Sequence, residues 1–260
     1  MEKSQRYVVV STNNNPDYMF YARYVEKAWN ELGWGLCIMV TQDVDIRDLK
    51  LAPFFQPSNK PPTIIIPLPD IKDLRKESIA QAGRLYAANY FAHEDTLLMT
   101  SDMDLLPLID YWNPDQDKVT VYGHDLTWRS YYPMGYIAMK VSQWKRFMKL
   151  TGQTTVDMLS DALAYKHLTA SDNWESWWNW DWTMITDRMK PSASDITFID
   201  RGQIDIAGAT LAKGRVDRYN WKATMDQPDW IDAHCHNNNV LHPDKLNDFL
   251  TVFEKVYGKL

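Results

Sequence analysis

TLLMTSDMD, residues 96–104, predicts a buried strand that ends in a pair of aspartates. The apolar run before the pair is typical of a strand covered on both faces of a sheet. Residues two apart on an extended chain point the same way. The carboxylates of Asp102 and Asp104 are therefore expected to face one ligand at the carboxyl edge of the sheet.

Asp102 and Asp104 have the chemistry of a divalent-cation site. Hard cations prefer oxygen ligands, and a cation held by few carboxylates keeps positions open for water or substrate phosphates. Asp-x-Asp also occurs by chance in solvated loops, so its position after an apolar strand is what favours a functional interpretation. The pair indicates a cation–diphosphate site and hence a nucleotide-linked substrate.

The segments before the pair alternate between strand and helix. Strands are predicted at 6–13, 36–40 and 63–67, and helices at 18–32 and 76–91. After the pair, strands are predicted at 119–122, 135–141, 196–199 and 207–211, and helices at 142–150, 155–168, 180–190 and 245–257. The pattern predicts an α/β fold, a mixed and mostly parallel sheet flanked by helices.

The chain shows no linker, internal repeat or low-complexity tract, so we expect a single domain over residues 1–260. Residues 1–110 would form a nucleotide-binding half, and residues 111–260 an acceptor-binding half.

Composition excludes several classes of protein. The net charge of −6, without a long basic run, argues against a general nucleic-acid binder. No signal peptide and no transmembrane segment are predicted. Cys37 and Cys235 are the only cysteines, which indicates a reducing compartment. A soluble, cytoplasmic protein is expected.

Ligands of open α/β sheets bind at the carboxyl ends of strands. Ser11, Thr12 and Asn13 end the first predicted strand and are candidates for hydrogen bonds to a base or ribose. These residue types also form turns and cap helices, and the two functions are compatible.

Arg84 follows Gly83 on the helix before the acidic strand. A glycine permits close approach of backbone or ligand, and a guanidinium offsets phosphate charge through a forked contact. Arg84 is thus a candidate ligand of the diphosphate. The simpler interpretation is that Arg84 is an exposed arginine on the surface of a helix.

His234 and His236 repeat the spacing of the two aspartates. On an extended segment one of them can complete the shell of the cation, with His236 as the candidate and His234 as the alternative. Zinc binding with Cys235 is disfavoured, because adjacent side chains cannot all face one ion and no second ligand pair is evident. A structural function for both histidines is the other interpretation.

Asp181 lies within a cluster of tryptophans at 174, 177, 178, 180 and 182. Flat apolar rings with N–H donors suit the apolar faces of sugars. A carboxylate among them is desolvated, which raises its pKa and suits a general base acting on a sugar hydroxyl. A helix cap or first-turn aspartate is the alternative. Competing candidates are Asp125, Asp172 and Glu175.

The order of these motifs resembles that of the GT-A-fold, Asp-x-Asp-containing nucleotide-sugar glycosyltransferases. TSDMD at 100–104 resembles their Asp-x-Asp motif, and YPMGYIAM at 132–139, followed by Trp144, resembles the strand and helix after it. WDWT at 180–183 matches the acidic motif that opens the acceptor-side helix, and His234 or His236 matches a late histidine.

The resemblance implies a GT-A, Rossmann-like fold and a Mn²⁺- or Mg²⁺-dependent transfer from a nucleotide sugar, most often UDP-linked, to a glycan or other hydroxyl acceptor. It implies that Asp104 ligates the metal and that Asp102 contacts ribose or metal. The soluble form is similar to bacterial enzymes and to those of large algal viruses, the latter acting in the host cytoplasm. The usual Asn-Ser or Asn-Ala lead-in near Gly135 and a Lys-Pro-Trp-like end are absent, which leaves the stereochemistry open.

Two other functions share part of this evidence. A nucleotidyltransferase or nucleotide-sugar pyrophosphorylase also combines an α/β sheet with metal carboxylates. Such enzymes tend to carry a Gly-rich basic loop after the first strand, where this chain has NNNP at 13–16. A non-catalytic carbohydrate-binding protein would use the tryptophans and would not need two aspartates at a strand end.

Overall fold

The centre of the protein is a seven-stranded sheet with helices on both faces. The computed structural model describes residues 5–51, 61–72, 74–123, 131–165, 180–206, 208–227, 229–236 and 241–260. Within these ranges the strands are β1 (Arg6–Thr12), β2 (Gly35–Val40), β3 (Ile64–Pro67), β4 (Leu97–Thr100), β5 (Leu105–Pro107), β6 (Val119–Tyr122), β7 (Ile137–Lys140), β8 (Ile196–Ile199), β9 (Gln203–Ile206), β10 (Ala209–Ala212), β11 (Arg215–Val216) and β12 (Asp232–His234).

The helices of the same ranges are α1 (Pro16–Met19), α2 (Ala22–Glu31), α3 (Lys76–Gly83), α4 (Val141–Met148), α5 (Thr154–Ala164), α6 (Trp180–Met189), α7 (Trp221–Thr224) and α8 (Pro243–Tyr257). Short 3₁₀ segments occur at Ile46–Leu49, Arg84–Tyr90 and Lys190–Asp195. None of the helices in the described ranges combines the length and the hydropathy that crossing a bilayer requires.

The strand order of the main sheet is β3-β2-β1-β4-β7-β6-β8. β7 runs antiparallel to both of its neighbours, and the other pairs are parallel. The predicted mixed, mostly parallel sheet of one α/β domain is confirmed. The order reverses at β1, since β2 lies on one side of it and β4 on the other. A reversal of this kind leaves a crevice at the carboxyl ends of the two strands.

Both faces of the sheet are buried, which explains the continuous apolar runs of its strands. Val8 and Val10 of β1 join the core that contains α2 and α8. Tyr7 and Val9 point to the opposite face and join the core that contains α3, α4 and α6. The alternation along one strand thus ties the two layers of helices to a single sheet.

A second sheet, with the order β11-β12-β5, closes the carboxyl end of β4. β12 pairs antiparallel with β5, with His234 opposite Leu105. The Cys235 N–H extends this ladder by donating to the carbonyl of Asp104 at 2.7 Å. β5, β11 and β12 were not predicted as strands, because two or three residues are too few to show an alternating pattern.

Four predicted elements differ in detail. The helix predicted at 18–32 is divided into α1 (Pro16–Met19) and α2 (Ala22–Glu31). The helix predicted at 76–91 is α-helical only to Gly83 and continues as the 3₁₀ segment Arg84–Tyr90, since the two helix types are not distinguished by apolar spacing over so few residues. The strand predicted at 207–211 is β10, which forms a hairpin with β9. The helix predicted at 155–168 ends at Ala164, and residues 166–168 lie outside the described ranges.

Gly83 is required by packing rather than by a ligand. A Cβ atom at this position would lie 2.5 Å from Cδ1 and 3.2 Å from Cγ of Leu68, a core side chain that is 1% exposed. The close approach lets α3 lie against the chain that follows β3, directly before Arg84.

Gly83→Ala is therefore expected to lower the free energy of unfolding, because overpacking costs about 1–3 kcal/mol and exceeds the helix-propensity gain of about 1 kcal/mol. In a Leu68→Ala background the same substitution should be neutral or stabilising. Urea unfolding of the four proteins of this double-mutant cycle measures the difference. An equal loss in both backgrounds would show that Leu68 is not the cause.

Candidate active-site cleft

A cleft of about 770 Å³ opens where β1 and β4 end. The first strand contributes its polar end, and the second contributes the acidic pair. Residues that the sequence singled out and that line the cleft are Ser11, Thr12, Asn13, Arg84, Asp102, Asp104 and His234. Asp181 and His236 are not among the lining residues.

The acidic pair lies in a turn, not on an extended segment as the sequence analysis expected. β4 ends at Thr100, and the Leu105 N–H donates to the carbonyl of Asp102 at 3.1 Å. Both carboxylates nevertheless reach the cleft. They differ in exposure, since the side chain of Asp102 is 39% exposed and that of Asp104 only 4%.

Arg84 is buried and paired with two carboxylates, so the interpretation of an exposed helical arginine is wrong. Its Nη1 donates to Asp102 Oδ1 and, at 3.0 Å, to the carbonyl of Ser101. Its Nη2 donates to Asp181 Oδ2 at 3.0 Å. The guanidinium thereby joins the acidic pair to the first turn of α6. Two carboxylates around one buried cation compensate its desolvation.

Asp181 lies behind the cleft wall and is fully buried. One carboxylate oxygen accepts from Arg84, and the other accepts from the Trp182 N–H at 2.8 Å. Burial raises the pKa of Asp181 to about 6, and Arg84 limits the increase. The desolvation expected from the sequence is present, but neither oxygen is exposed toward the cleft.

Two tryptophans of the cluster lie within the described ranges, and they differ in position. Trp180 is fully buried in the core, whereas Trp182 is partly buried and lines the cleft. The remaining members and the competing acids lie outside the described residues: Trp174, Trp177, Trp178, Asp125, Asp172 and Glu175.

One carboxylate oxygen of Asp104 lies near both an arginine and a histidine. Arg218 Nη2 donates to Asp104 Oδ2 at 2.7 Å, and His234 Nε2 lies 4.0 Å from the same oxygen. Burial raises the pKa of Asp104, Arg218 opposes this, and the charge of Asp102 adds to it. Burial, together with Arg218 and Arg215, holds the pKa of His234 well below its usual value. His234 is thus a neutral imidazole with the chemistry of a metal ligand.

His236 has different surroundings. Its ring stacks on Trp221 with centroids 4.6 Å apart, and its carbonyl accepts from the Tyr21 hydroxyl at 2.5 Å. Burial and the nearby Lys245 lower its pKa. The two histidines therefore have different environments. His234, which the sequence offered as the alternative to His236, is the histidine beside Asp104.

Three arginines of the cleft were missed by the sequence analysis: Arg201, Arg215 and Arg218. Arg201 Nη1 and Arg215 Nη2 bind the two oxygens of buried Asp232 at 2.9 and 2.7 Å. Burial opposes ionisation of Asp232, but the two arginines outweigh it and hold the pKa far below its usual value. The spacing of these arginines matches neither the helical nor the strand period. The presence of three arginines within residues 201–218 was the signal in the sequence that could have indicated them.

The donor set of the cleft fits a divalent cation in its chemistry and charge. Asp102, Asp104 and the neutral imidazole of His234 supply oxygen and nitrogen donors. The cleft region is negatively charged, because six carboxylates lie in or behind the cleft with four guanidiniums. The carboxylates are those of Asp17, Glu77, Asp102, Asp104, Asp181 and Asp232, and the guanidiniums are those of Arg84, Arg201, Arg215 and Arg218. The described residues contain no group of three acidic, His or Cys side chains gathered around one point. Asp102 is bonded to Arg84 and Asp104 to Arg218, so a cation at this site would share both aspartates with these arginines.

No protein family profile matches this sequence. No curated protein matches it either. Among solved structures, a crystal structure of an active-site mutant of LgtC aligns with a TM-score of 0.53 and 12% identity, over 97% of this chain and 95% of that one. A crystal structure of the galactosyltransferase LgtC in complex with donor and acceptor sugar analogues aligns with a TM-score of 0.51 and 11% identity, over 96% of each chain.

The protein has the GT-A, Rossmann-like fold of LgtC. The fold that the resemblance implied is confirmed. At this level of identity the likeness concerns the fold alone, so the activity has to be argued from the side chains of the cleft.

The raised pKa of Asp181 makes a testable contribution to stability. The folded state binds this proton more tightly than the unfolded chain, so the contribution is fully present below pH 3.8, the usual pKa, and is lost as the pH rises through about 6. Relative to Asp181→Asn, the wild type should lose about 2 kcal/mol of unfolding free energy between pH 4.5 and 7.5.

Chemical unfolding at a series of pH values measures this difference. Asp110→Asn, at an exposed position, is the matched control and should follow the wild type. Parallel stability curves for the wild type and Asp181→Asn would contradict the assignment.

Proposed function

We propose that the protein is a glycosyltransferase that moves a sugar from a nucleotide sugar, UDP-linked in the first instance, to a glycan or other hydroxyl acceptor. The observation that carries this proposal is the pair Asp102 and Asp104 at the sheet's switch point, beside Arg84 and His234, in one cleft. Ligands of open α/β sheets bind at this place. The fold's likeness to LgtC, which was crystallised in complex with donor and acceptor sugar analogues, supports the proposal.

The polar end of β1 supports binding of the base or ribose. The cap of α1 is Asn15, whose side chain accepts from the Asp17 N–H at 3.0 Å. Ser11, Thr12 and Asn13 are therefore not needed as the cap, and all three line the cleft. We assign them to the nucleoside.

Mn²⁺ or Mg²⁺ is the proposed cofactor, with Asp102, Asp104 and His234 as its protein ligands. His234 replaces His236 in this set, because its Nε2 lies 4.0 Å from Asp104 while His236 packs on Trp221. The bound cation supplies Lewis-acid stabilisation of the leaving diphosphate. The excess of carboxylates supports this cofactor, since a diphosphate would be repelled by the cleft's own charge.

The protein's own residues orient the reacting groups. Arg84 fixes Asp102 and places a positive charge beside the diphosphate, where negative charge develops as the glycosidic bond breaks. Asp181 fixes Arg84 from behind. We therefore propose a positioning function for Asp181 in place of the proton abstraction that the sequence favoured, because both of its oxygens are bonded and buried.

The acceptor side is assigned to residues 111–260. Tyr136 and Trp182 from this half line the cleft, and a tryptophan ring suits the apolar face of a sugar. Residues 1–110 supply the nucleoside contacts, Arg84 and the acidic pair. The division is not complete, since His234 and Arg218 reach Asp104 from the second half.

Asp104→Asn tests the proposal most directly. The substitution is nearly isosteric but removes the charge of a metal ligand, so Mn²⁺-dependent UDP binding should weaken by about 100-fold or more. Calorimetry measures the binding, and hydrolysis of several nucleotide sugars with and without Mn²⁺ measures turnover. Asp110→Asn, exposed and outside the cleft, is the control and should bind UDP as the wild type does.

Circular dichroism checks that Asp104→Asn remains folded. Full activity in EDTA would contradict a metal-dependent transferase. Glycan binding without metal and without donor hydrolysis would instead support a carbohydrate-binding protein.

A further inference from the structure

Arg218 and His234 both lie beside one oxygen of Asp104. Arg218 Nη2 binds Asp104 Oδ2 at 2.7 Å, and His234 Nε2 faces the same atom at 4.0 Å. Asp104 and His234 are two of the residues that would hold the proposed cation. A cation held by Asp104 and His234 would therefore meet the positive charge of Arg218 at the oxygen they share.

The backbone on either side of Arg218 is held by hydrogen bonds of Asp217, and the side chain of Arg218 is bonded to Asp104. The Asp217 N–H donates to Thr224 Oγ1 at 2.9 Å, and Asp217 Oδ1 accepts from the Tyr219 N–H at 3.0 Å. The side chain of Arg218 is 9% exposed, its Cζ lies 6.0 Å from the centre of the Tyr219 ring, and within the described ranges its Nε has no hydrogen-bond partner. The Nε of Arg84 likewise has no partner within the described ranges, but its two Nη atoms donate to two carboxylates and a carbonyl. Arg218 thus has one bonded carboxylate and an unused donor, Nε, with which it could bind a second partner in the cleft.

We propose that Arg218 is a partner-exchanging residue, which neutralises Asp104 before the cation binds and contacts the diphosphate afterwards. A buried carboxylate requires a counter-ion, and Arg218 supplies it. Once Asp104 turns to the cation, Arg218 is released beside the donor, where a planar guanidinium suits phosphate oxygens. This inference rests on the proposed function, because it requires a cation and a diphosphate at this site.

Two binding measurements on the full chain test the exchange. Mn²⁺ alone is titrated and followed by the paramagnetic resonance of the free ion, and UDP is then titrated by calorimetry at saturating Mn²⁺. Arg218→Met should bind Mn²⁺ about 5–10-fold more tightly, because a competing charge is removed, and UDP at least about 10-fold more weakly. Lys222→Met removes an equal charge at an exposed position nearby and should change neither affinity by more than about 2-fold.

Tighter Mn²⁺ binding together with weaker UDP binding distinguishes an exchange of partners from a distorted site, because a distorted site would lower both affinities. Weaker Mn²⁺ binding by Arg218→Met, or unchanged UDP affinity, would overturn the proposal. If the wild type shows Mn²⁺-dependent UDP binding while Arg218→Met loses affinity for both Mn²⁺ and UDP, only the assignment of Arg218 fails. If the wild type binds no Mn²⁺ and its UDP binding is unaffected by EDTA, the metal-dependent function itself fails.

Arg218→Lys serves where Arg218→Met does not fold. It keeps the charge but loses the planar fork, so Mn²⁺ affinity should stay near that of the wild type while UDP affinity falls about 3–10-fold. Wild-type UDP affinity in Arg218→Lys would overturn the proposal.

Discussion

The pairing of β12 with β5 is the constraint on which the cleft depends. β5 begins directly after Asp104, so any strand that pairs with it is delivered to the acidic pair. The Cys235 N–H bonded to the Asp104 carbonyl fixes this register, and His234 follows from it. β11, parallel to β12, brings Arg215 to Asp232 in the same way. Three short strands thus assemble one end of the cleft from distant parts of the chain.

Charge compensation explains how so many acids share one region. Asp181 and Asp232 are fully buried, and each is bonded to at least one arginine that also lines the cleft. An unpaired ion at such depth would be strongly destabilising. The arginines therefore make the acidic architecture possible before they contribute to any reaction. Their distribution also leaves the more accessible carboxylates of the cleft, among them Glu77 and Asp102, as the region's surplus of negative charge.

The sequence predicted those features that local patterns encode. The apolar strands, the mixed sheet and the position of Asp102 and Asp104 at a strand end all depend on contiguous residues, and the structure contains them. The turn at the pair, the burial of Arg84 and the separate surroundings of His234 and His236 depend on partners far away in the chain. Such pairings leave no periodic signal, because a strand of two or three residues is shorter than any pattern that would reveal it.

One guanidinium serves two carboxylates at Arg84, and this links positions that lie far apart in the sequence. Loss of either acid would leave the other to compensate the same buried charge, and loss of the arginine would leave both exposed to mutual repulsion. Evolution is therefore unable to alter residues 84, 102 and 181 one at a time without a penalty. Among distant homologues these three positions should covary, so that all three residues are either retained or replaced together.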